Sequence, residues 1–225
     1  MTDCAVFDVD GTLVDSNYQH VLAWYRAFRA YDVVLPLWQI HRHLGMGGDQ
    51  LVPSLAGEAV EAEHGDDLRD RWKKEFDGLI EEVAPTPGAI ELLRAVKQKG
   101  VRLVLATSGK PDHVERFVDL VEARDVADAW TTSEDVENTK PAPDLLAVAL
   151  GKVDATGAVT FGDATWDCIA ARRLGLPAVT LRTGGFGADE LRGAGAVEVY
   201  DTLEDIRSDL DRLLALAVPV RAPAS

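Results

Sequence analysis

The chain has 225 residues, of which 47% are hydrophobic and 27% charged, the balance of an ordinary globular protein. At roughly 150 residues per domain, that length holds one large domain or one domain carrying a smaller insert. A net charge of −15 at pH 7 with no basic stripe gives nucleic-acid phosphates nothing to pair with, so nucleic acid is not an expected partner. The N-terminus lacks a basic region followed by an apolar stretch, and no apolar run nears the roughly 18 residues of a membrane helix. The expectation is a cytoplasmic protein with no membrane partner. Cys4 and Cys168 are the two cysteines and have no Cys-x-x-Cys spacing, which predicts reduced, buried thiols rather than a disulfide or a zinc site.

The run from Cys4 to Asp8 is apolar and breaks into Asp8-Val9-Asp10-Gly11-Thr12, the pattern of a buried parallel strand ending in a loop. From about Asp15 to Val83 the strand-like runs disappear. Val21, Trp24, Tyr25 and Phe28 have helical spacing, and a polar stretch from Glu58 to Lys74 reads as an exposed helix face, so this segment is expected to be all helical. Gly45-Met46-Gly47-Gly48 interrupts it and predicts a turn or a close backbone approach. After Pro85-Thr86-Pro87-Gly88 helices and strands alternate. Helices are expected over Ala89 to Lys99, from about Asp112, after Pro141-Ala142-Pro143 and through Ala170 and Leu174. Strands are expected over Val101 to Ala106, Trp130 to Thr132, Ala158 to Phe161 and Ala178 to Leu181, with a final strand and helix from Ala196. Strands separated by helices imply a parallel sheet covered on both faces, with ligands bound at the carboxyl ends of its strands. The Ala/Pro/Val-rich end after Leu216 reads as a frayed tail.

Polar clusters follow the strands: Asp8 to Thr12, then Thr107-Ser108-Gly109-Lys110, then Gly162-Asp163 with Asp167, while Lys140 precedes the helix start at Pro141-Ala142-Pro143-Asp144 instead of directly ending a strand. Acids, a hydroxyl and a lysine at neighbouring strand ends suit phosphoryl transfer, in which a carboxylate attacks phosphorus and the remaining catalysis is electrostatic. Asp8 is then the nucleophile. A bare carboxylate is repelled by a phosphate dianion, which calls for Mg²⁺ held by hard oxygens of Asp8 and Asp163. Asp10, two residues on, is placed to protonate the leaving oxygen and later to deprotonate water. Thr107, with Ser108 beside it, and Lys140 offer donors to phosphoryl oxygens, and Lys140 also tempers repulsion among the acids.

These residues resemble the haloacid dehalogenase superfamily, whose four motifs match in order and spacing: the Asp-x-Asp-Gly-Thr loop, the Thr after the second core strand, the Lys before Pro-x-Pro, and Gly-Asp-x-x-x-Asp. The resemblance implies an α/β fold, a Rossmann-like parallel sheet core over 1–14 and 85–225 with an inserted all-helical cap over 15–84. It also implies a Mg²⁺ requirement with Asp8, Asp163 and the backbone carbonyl of Asp10 as metal ligands, and Asp167 supporting them. Asp15, His20 and Trp24 resemble the branch of phosphoglycolate phosphatase and beta-phosphoglucomutase. His20, Arg42 and Lys110 are candidates for substrate binding. The expected activity is a phosphatase acting on a small phosphorylated metabolite. Sugar phosphomutase is the alternative, but its cap grips a second phosphate with basic residues where Leu44 and Gly48 stand here. A protein that is phosphorylated on Asp8 and read by a partner is a third reading, disfavoured by the presence of Asp10. A monomer is the default, with a dimer left open.

Overall fold

The computed structural model describes residues 3–220. It begins with β1 (Cys4–Phe7), whose four residues are all buried. A tight loop leads to β2 (Val14–Asp15), and four helices follow: α1 (Asn17–Ala30), α2 (Leu37–His41), α3 (Gly48–Ala56) and α4 (Glu58–Asp77). The chain returns through β3 (Ala84–Pro85), which pairs antiparallel with β2, Val14 opposite Pro85 and Asp15 opposite Ala84. The helical segment is therefore tied off where it leaves the sheet domain and where it re-enters. Next come α5 (Ala89–Gln98), β4 (Arg102–Leu105), α6 (Pro111–Leu120), β5 (Ala129–Trp130), α7 (Asp144–Gly151), β6 (Gly157–Gly162), α8 (Thr165–Arg173), β7 (Ala178–Leu181), α9 (Ala188–Ala194), β8 (Ala196–Tyr200), α10 (Leu203–Ser208), α11 (Leu210–Leu214) and β9 (Val218–Pro219).

The strand order is β5-β4-β1-β6-β7-β8, parallel throughout, with β9 added antiparallel to β6. The end after Leu216 is thus not wholly frayed: β7 joins β6 only from Thr160, which leaves Gly157 and Ala158 an open edge that Pro219 and Val218 fill. The expected strand at Trp130 to Thr132 is shorter, because Thr132 turns to cap a 3₁₀ turn at Ser133–Asp135.

Side chains of β1 alternate between two hydrophobic layers. Ala5 and Phe7 pack with Leu103, Leu105 and Phe117, while Cys4 and Val6 pack with Val104, Cys168 and Ala171. Phe7 and Phe161 stack across β1 and β6 with centroids 4.3 Å apart. Each such fully buried side chain contributes about 1.5–3 kcal/mol through removal from water. Both cysteines are buried free thiols, and burial pushes each up to about 12. Among the described residues no helix is long and apolar enough to cross a membrane.

In the helical segment α1 packs on α4 through two i, i+4 rows. Trp24 and Phe28 of α1 meet Leu68, Trp72 and Phe76 of α4, with the Trp24 and Trp72 rings 5.3 Å apart. Ion pairs flank the packed face of α4, Arg71–Glu75 on one side and Lys73–Asp77 on the other. The segment rests on the sheet domain on two sides. His113 Nε2 at the start of α6 meets Asp77 Oδ1 at 2.7 Å, and His41 Nε2 donates to the Gly184 carbonyl at 2.9 Å.

Candidate active site

The strand order reverses at β1: the chain builds outward to β4 and β5 on one side and to β6, β7 and β8 on the other. A crevice opens at the carboxyl end of such a strand. Asp8 sits there, its N–H still bonded to the Phe161 carbonyl at 2.8 Å, so the sheet ladder fixes its position. The chain then turns back at once. Gly11 has φ +78, a region that penalises any side chain, and a Cβ there would collide with Asp163 and Asn17.

The other strand ends converge on the same place. Lys140, 2% exposed, donates to Asp8 Oδ1 and to Asp167 Oδ1, the latter at 2.8 Å. Asp167 stands in the first turn of α8 and its Oδ2 accepts from the N–H groups of Asp163 (3.2 Å) and Ala164 (3.0 Å), closing the helix start. Asp163 accepts from Thr12 Oγ1 at 3.0 Å and from Asn17 Nδ2 at 3.2 Å. Oxygens of Asp8, Asp163 and Asp167 lie within 4.8 Å of one another, all buried.

Three buried acids share one lysine, and the proton affinities of Asp8 and Asp163 register the shortfall. Burial pushes the Asp8 carboxyl well above the usual range; Lys140 opposes the shift, while Asp167, Asp163 and Asp10 add to it. Burial and the charge of Asp167 push Asp163 up to about 7, against the bonds from Asn17 and Thr12 and the charge of Lys140. Burial alone would lower Lys140, but Asp167 and Asp8 outweigh it and hold the ammonium above the ordinary lysine range. Three clustered carboxylates against one ammonium lack two positive charges when ionised, and their oxygens are the donor type that a hard divalent cation takes. A second acidic group, Asp77 and Asp112 with His113, differs in that Lys73 bonds both carboxylates, at 3.1 and 2.7 Å.

Asp10 stands apart from the trio. Its Oδ1 accepts from Ser16 Oγ (2.9 Å) and meets His20 Nε2 (2.9 Å), and its Oδ2 accepts from Thr107 Oγ1 (3.2 Å). Ser16 is the N-cap residue of α1 yet gives its hydroxyl to Asp10 rather than to the helix, forgoing about 1 kcal/mol of capping. Burial acts to raise Asp10, but the His20 contact, then Ser16 and Thr107, hold it below the usual carboxylate range. Its side chain keeps 23% of its surface open to the crevice. His20 is fixed from behind by stacking on Phe76, centroids 3.9 Å apart.

Asp8, Asp10, Thr107 and Lys140 face a cavity of about 220 Å³, which Ser108, Lys110 and His20 also line. Asp163 and Asp167 lie behind this floor. Arg42 is not among the lining residues: α2 directs it away, to Glu190 Oε1 at 2.6 Å and over the Phe186 ring at 4.1 Å. Residues that sequence reasoning passed over complete the walls. Asn17 reaches Asp163, while Thr139 links the helical segment to the sheet domain by accepting from Gly47 N–H (2.9 Å) and donating its own N–H to Asp49 Oδ2 (3.0 Å). The one signal for Asn17 is its place at the start of a helix two residues after Asp15; Thr139 had only its adjacency to Lys140.

An α/β sheet with acids, a hydroxyl and a buried lysine gathered beside the ends of its central strands makes this crevice the candidate enzyme site. Residues 5–181 match the haloacid dehalogenase-like hydrolase family, and the chain belongs to that family. Among its relatives is validoxylamine A 7'-phosphate phosphatase of Streptomyces hygroscopicus subsp. limoneus, 29% identical over 197 residues that span 81% of this chain and 87% of that one. Phosphonoacetaldehyde hydrolase of Bordetella pertussis is 30% identical, over 83% of this chain and 74% of its own. The crystal structure of a hydrolase from Pseudomonas syringae superposes with a TM-score of 0.88 at 35% identity, covering 95% of this chain and 99% of that one.

Proposed function

We propose that this protein is a Mg²⁺-dependent phosphatase that hydrolyses a small phosphomonoester through an aspartyl phosphate on Asp8, beneath a cap formed by 15–84. The observation that carries the reading is the convergence of Asp8, Asp10, Thr107 and Lys140 on one cavity floor, with Asp163 and Asp167 buried behind it.

A phosphate group entering the cavity meets Lys140 and the hydroxyls of Thr107 and Ser108 as donors for its non-bridging oxygens. A carboxylate oxygen of Asp8 then bonds phosphorus as the bond from phosphorus to the leaving oxygen breaks, and Asp10 gives that oxygen its proton. In the second half a water oxygen attacks the same phosphorus, Asp10 takes the water's proton, and the bond to Asp8 breaks to release phosphate and restore the carboxylate. Asp8, Asp163 and the Asp10 carbonyl would hold the Mg²⁺, which neutralises negative charge shared by nucleophile and phosphate. His20, Ser16 and Thr107 hold Asp10 as a carboxylate in the resting arrangement, the form that accepts a proton from water. An approaching phosphate dianion raises the proton affinity of Asp10, and this favours the acid form required for the first half. The cap excludes water from the aspartyl phosphate until the leaving group has departed.

Phosphate release from a panel of small phosphomonoesters, with and without Mg²⁺, tests the proposal. The native protein releases phosphate only with the metal, and Asp8→Asn lowers the rate by about a thousandfold or more while keeping the fold. Metal-independent release, or substantial turnover by Asp8→Asn, contradicts it.

A further inference from the structure

Arg42 does not line the cavity, yet the strip of chain that follows it, residues 44–49, forms one of the cavity walls. The strip lies against loops of the sheet domain. A Cβ on Gly45 would fall 2.9 Å from Ala164 Cβ and 3.2 Å from Trp166 Cδ1, and further along Gly47 N–H donates to Thr139 Oγ1 at 2.9 Å. Just before the strip, His41 Nε2 bonds the Gly184 carbonyl at 2.9 Å. Arg42 sets its guanidinium over the Phe186 ring, 4.1 Å from the centroid, and its Nη2 donates to Glu190 Oε1 at 2.6 Å. The helix that carries both residues, α2, has one buried side chain of its own, Ile40, so its contacts with the loop after β7 are a large part of what holds it.

An ion pair can fix one segment against another only if its anchor is itself fixed. Glu190 gives its other carboxylate oxygen to Gly187 N–H at 2.7 Å, closing the start of α9, and that bond together with Arg42 holds its carboxyl below the usual range. Phe186, 4% exposed, belongs to the hydrophobic layer of Cys4 and Cys168. Gly184 is pressed onto Asp163, where a Cβ would fall 2.4 Å from the Asp163 carbonyl oxygen. The loop after β7 is therefore held from beneath by the core. A planar guanidinium shared between a preset carboxylate and an aromatic face has one favoured pose, which a flexible surface pair lacks. Building on the reading of 15–84 as a cap, we propose that Arg42 is a positioning residue: clamped by Glu190 and Phe186, it holds the wall formed by residues 44–49 closed on the cavity.

The test pairs amide hydrogen exchange of the ligand-free protein with kinetics on an activated aryl phosphate in Mg²⁺. Arg42→Met keeps a stem to lie over Phe186 and removes the charge. In this variant exchange over 42–49 and 184–190 is expected to quicken by about fivefold or more, while α1, α4 and the strands keep their native rates. kcat/KM for the aryl phosphate falls by a similar factor, mainly through KM, and the urea midpoint stays put because both partners stand at the surface. Glu190→Gln keeps an oxygen for Gly187 N–H and has the same effect, and the double variant is no worse than either single one, as two halves of one contact require. Native exchange over 42–49 in Arg42→Met, or losses that add in the double variant, overturns the role of Arg42. No release from the aryl phosphate by the native protein contradicts the phosphatase reading, and the exchange rates still decide for or against the clamp.

Discussion

Lys140 has one side chain and two buried carboxylates to satisfy, which makes it the residue whose loss is most informative about stability. Removing one partner of a buried ion pair costs about 3–5 kcal/mol, because the other charge is left without compensation. In the metal-free protein Lys140→Met is therefore expected to destabilise by about 3 kcal/mol at alkaline pH, read from urea unfolding. The loss should shrink as the medium is made acidic, since Asp8 and Asp163 already hold protons more tightly than ordinary carboxyls and the variant neutralises them by protonation. A larger loss at acid pH would mean that Lys140 is not compensating these acids. Asp8, Asp10 and Lys140 were legible in the sequence, because strand ends and Pro-x-Pro are local signals. The partners that set Asp10, by contrast, act across the fold: His20 serves only because Phe76, on a different helix, holds its ring.

At the scale of elements, the glycine turn before α3 brings the helical segment into direct contact with the sheet domain. A Cβ on Gly47 would meet the Thr139 side chain at 2.6 Å from Cγ2, so the N–H of Gly47 reaches the Thr139 hydroxyl only because no side chain intervenes. Gly47→Ala is expected to push the turn off Thr139 and to raise KM several-fold, with a smaller fall in kcat and little change in the urea midpoint; steady-state kinetics beside urea titration check this. A KM equal to that of the native protein would show that this contact does not shape the substrate-bound state. The sequence made the glycine cluster visible as a turn or close approach, but not what it approaches, since Thr139 lies in a loop from the other part of the chain. Arg42 shows the same limit in reverse: adjacency to the turn suggested substrate, while α2 aims it at Glu190 and Phe186. The pairing of Val218–Pro219 with β6 was hidden too, because only the short reach of β7 leaves that edge open.

For the whole molecule, the net charge of −15 says little about the site, because charges beyond a Debye length of about 8 Å are screened in physiological salt. The buried acids matter more. Asp163 rises from an ordinary 3.8 to about 7 on folding without metal, so between those values the native state binds protons that the unfolded chain has released. The contribution of Asp163 to metal-free stability is fully present below the lower value and is lost as pH rises through the upper one. Mg²⁺ binding the ionised acids should offset that loss, so the rise in Tm on adding Mg²⁺ is expected to be larger at about pH 8 than at about pH 5. An equal rise at both would point to binding elsewhere. The central claim is the covalent intermediate on Asp8, and trapping it is the most direct measurement. Acid quenching within a turnover, followed by borohydride reduction and peptide mass spectrometry, should convert Asp8 to homoserine when substrate and Mg²⁺ are both present and leave it unmodified when either is omitted. Turnover with Asp8 untouched, or with the reduced residue found at another aspartate, would contradict the account.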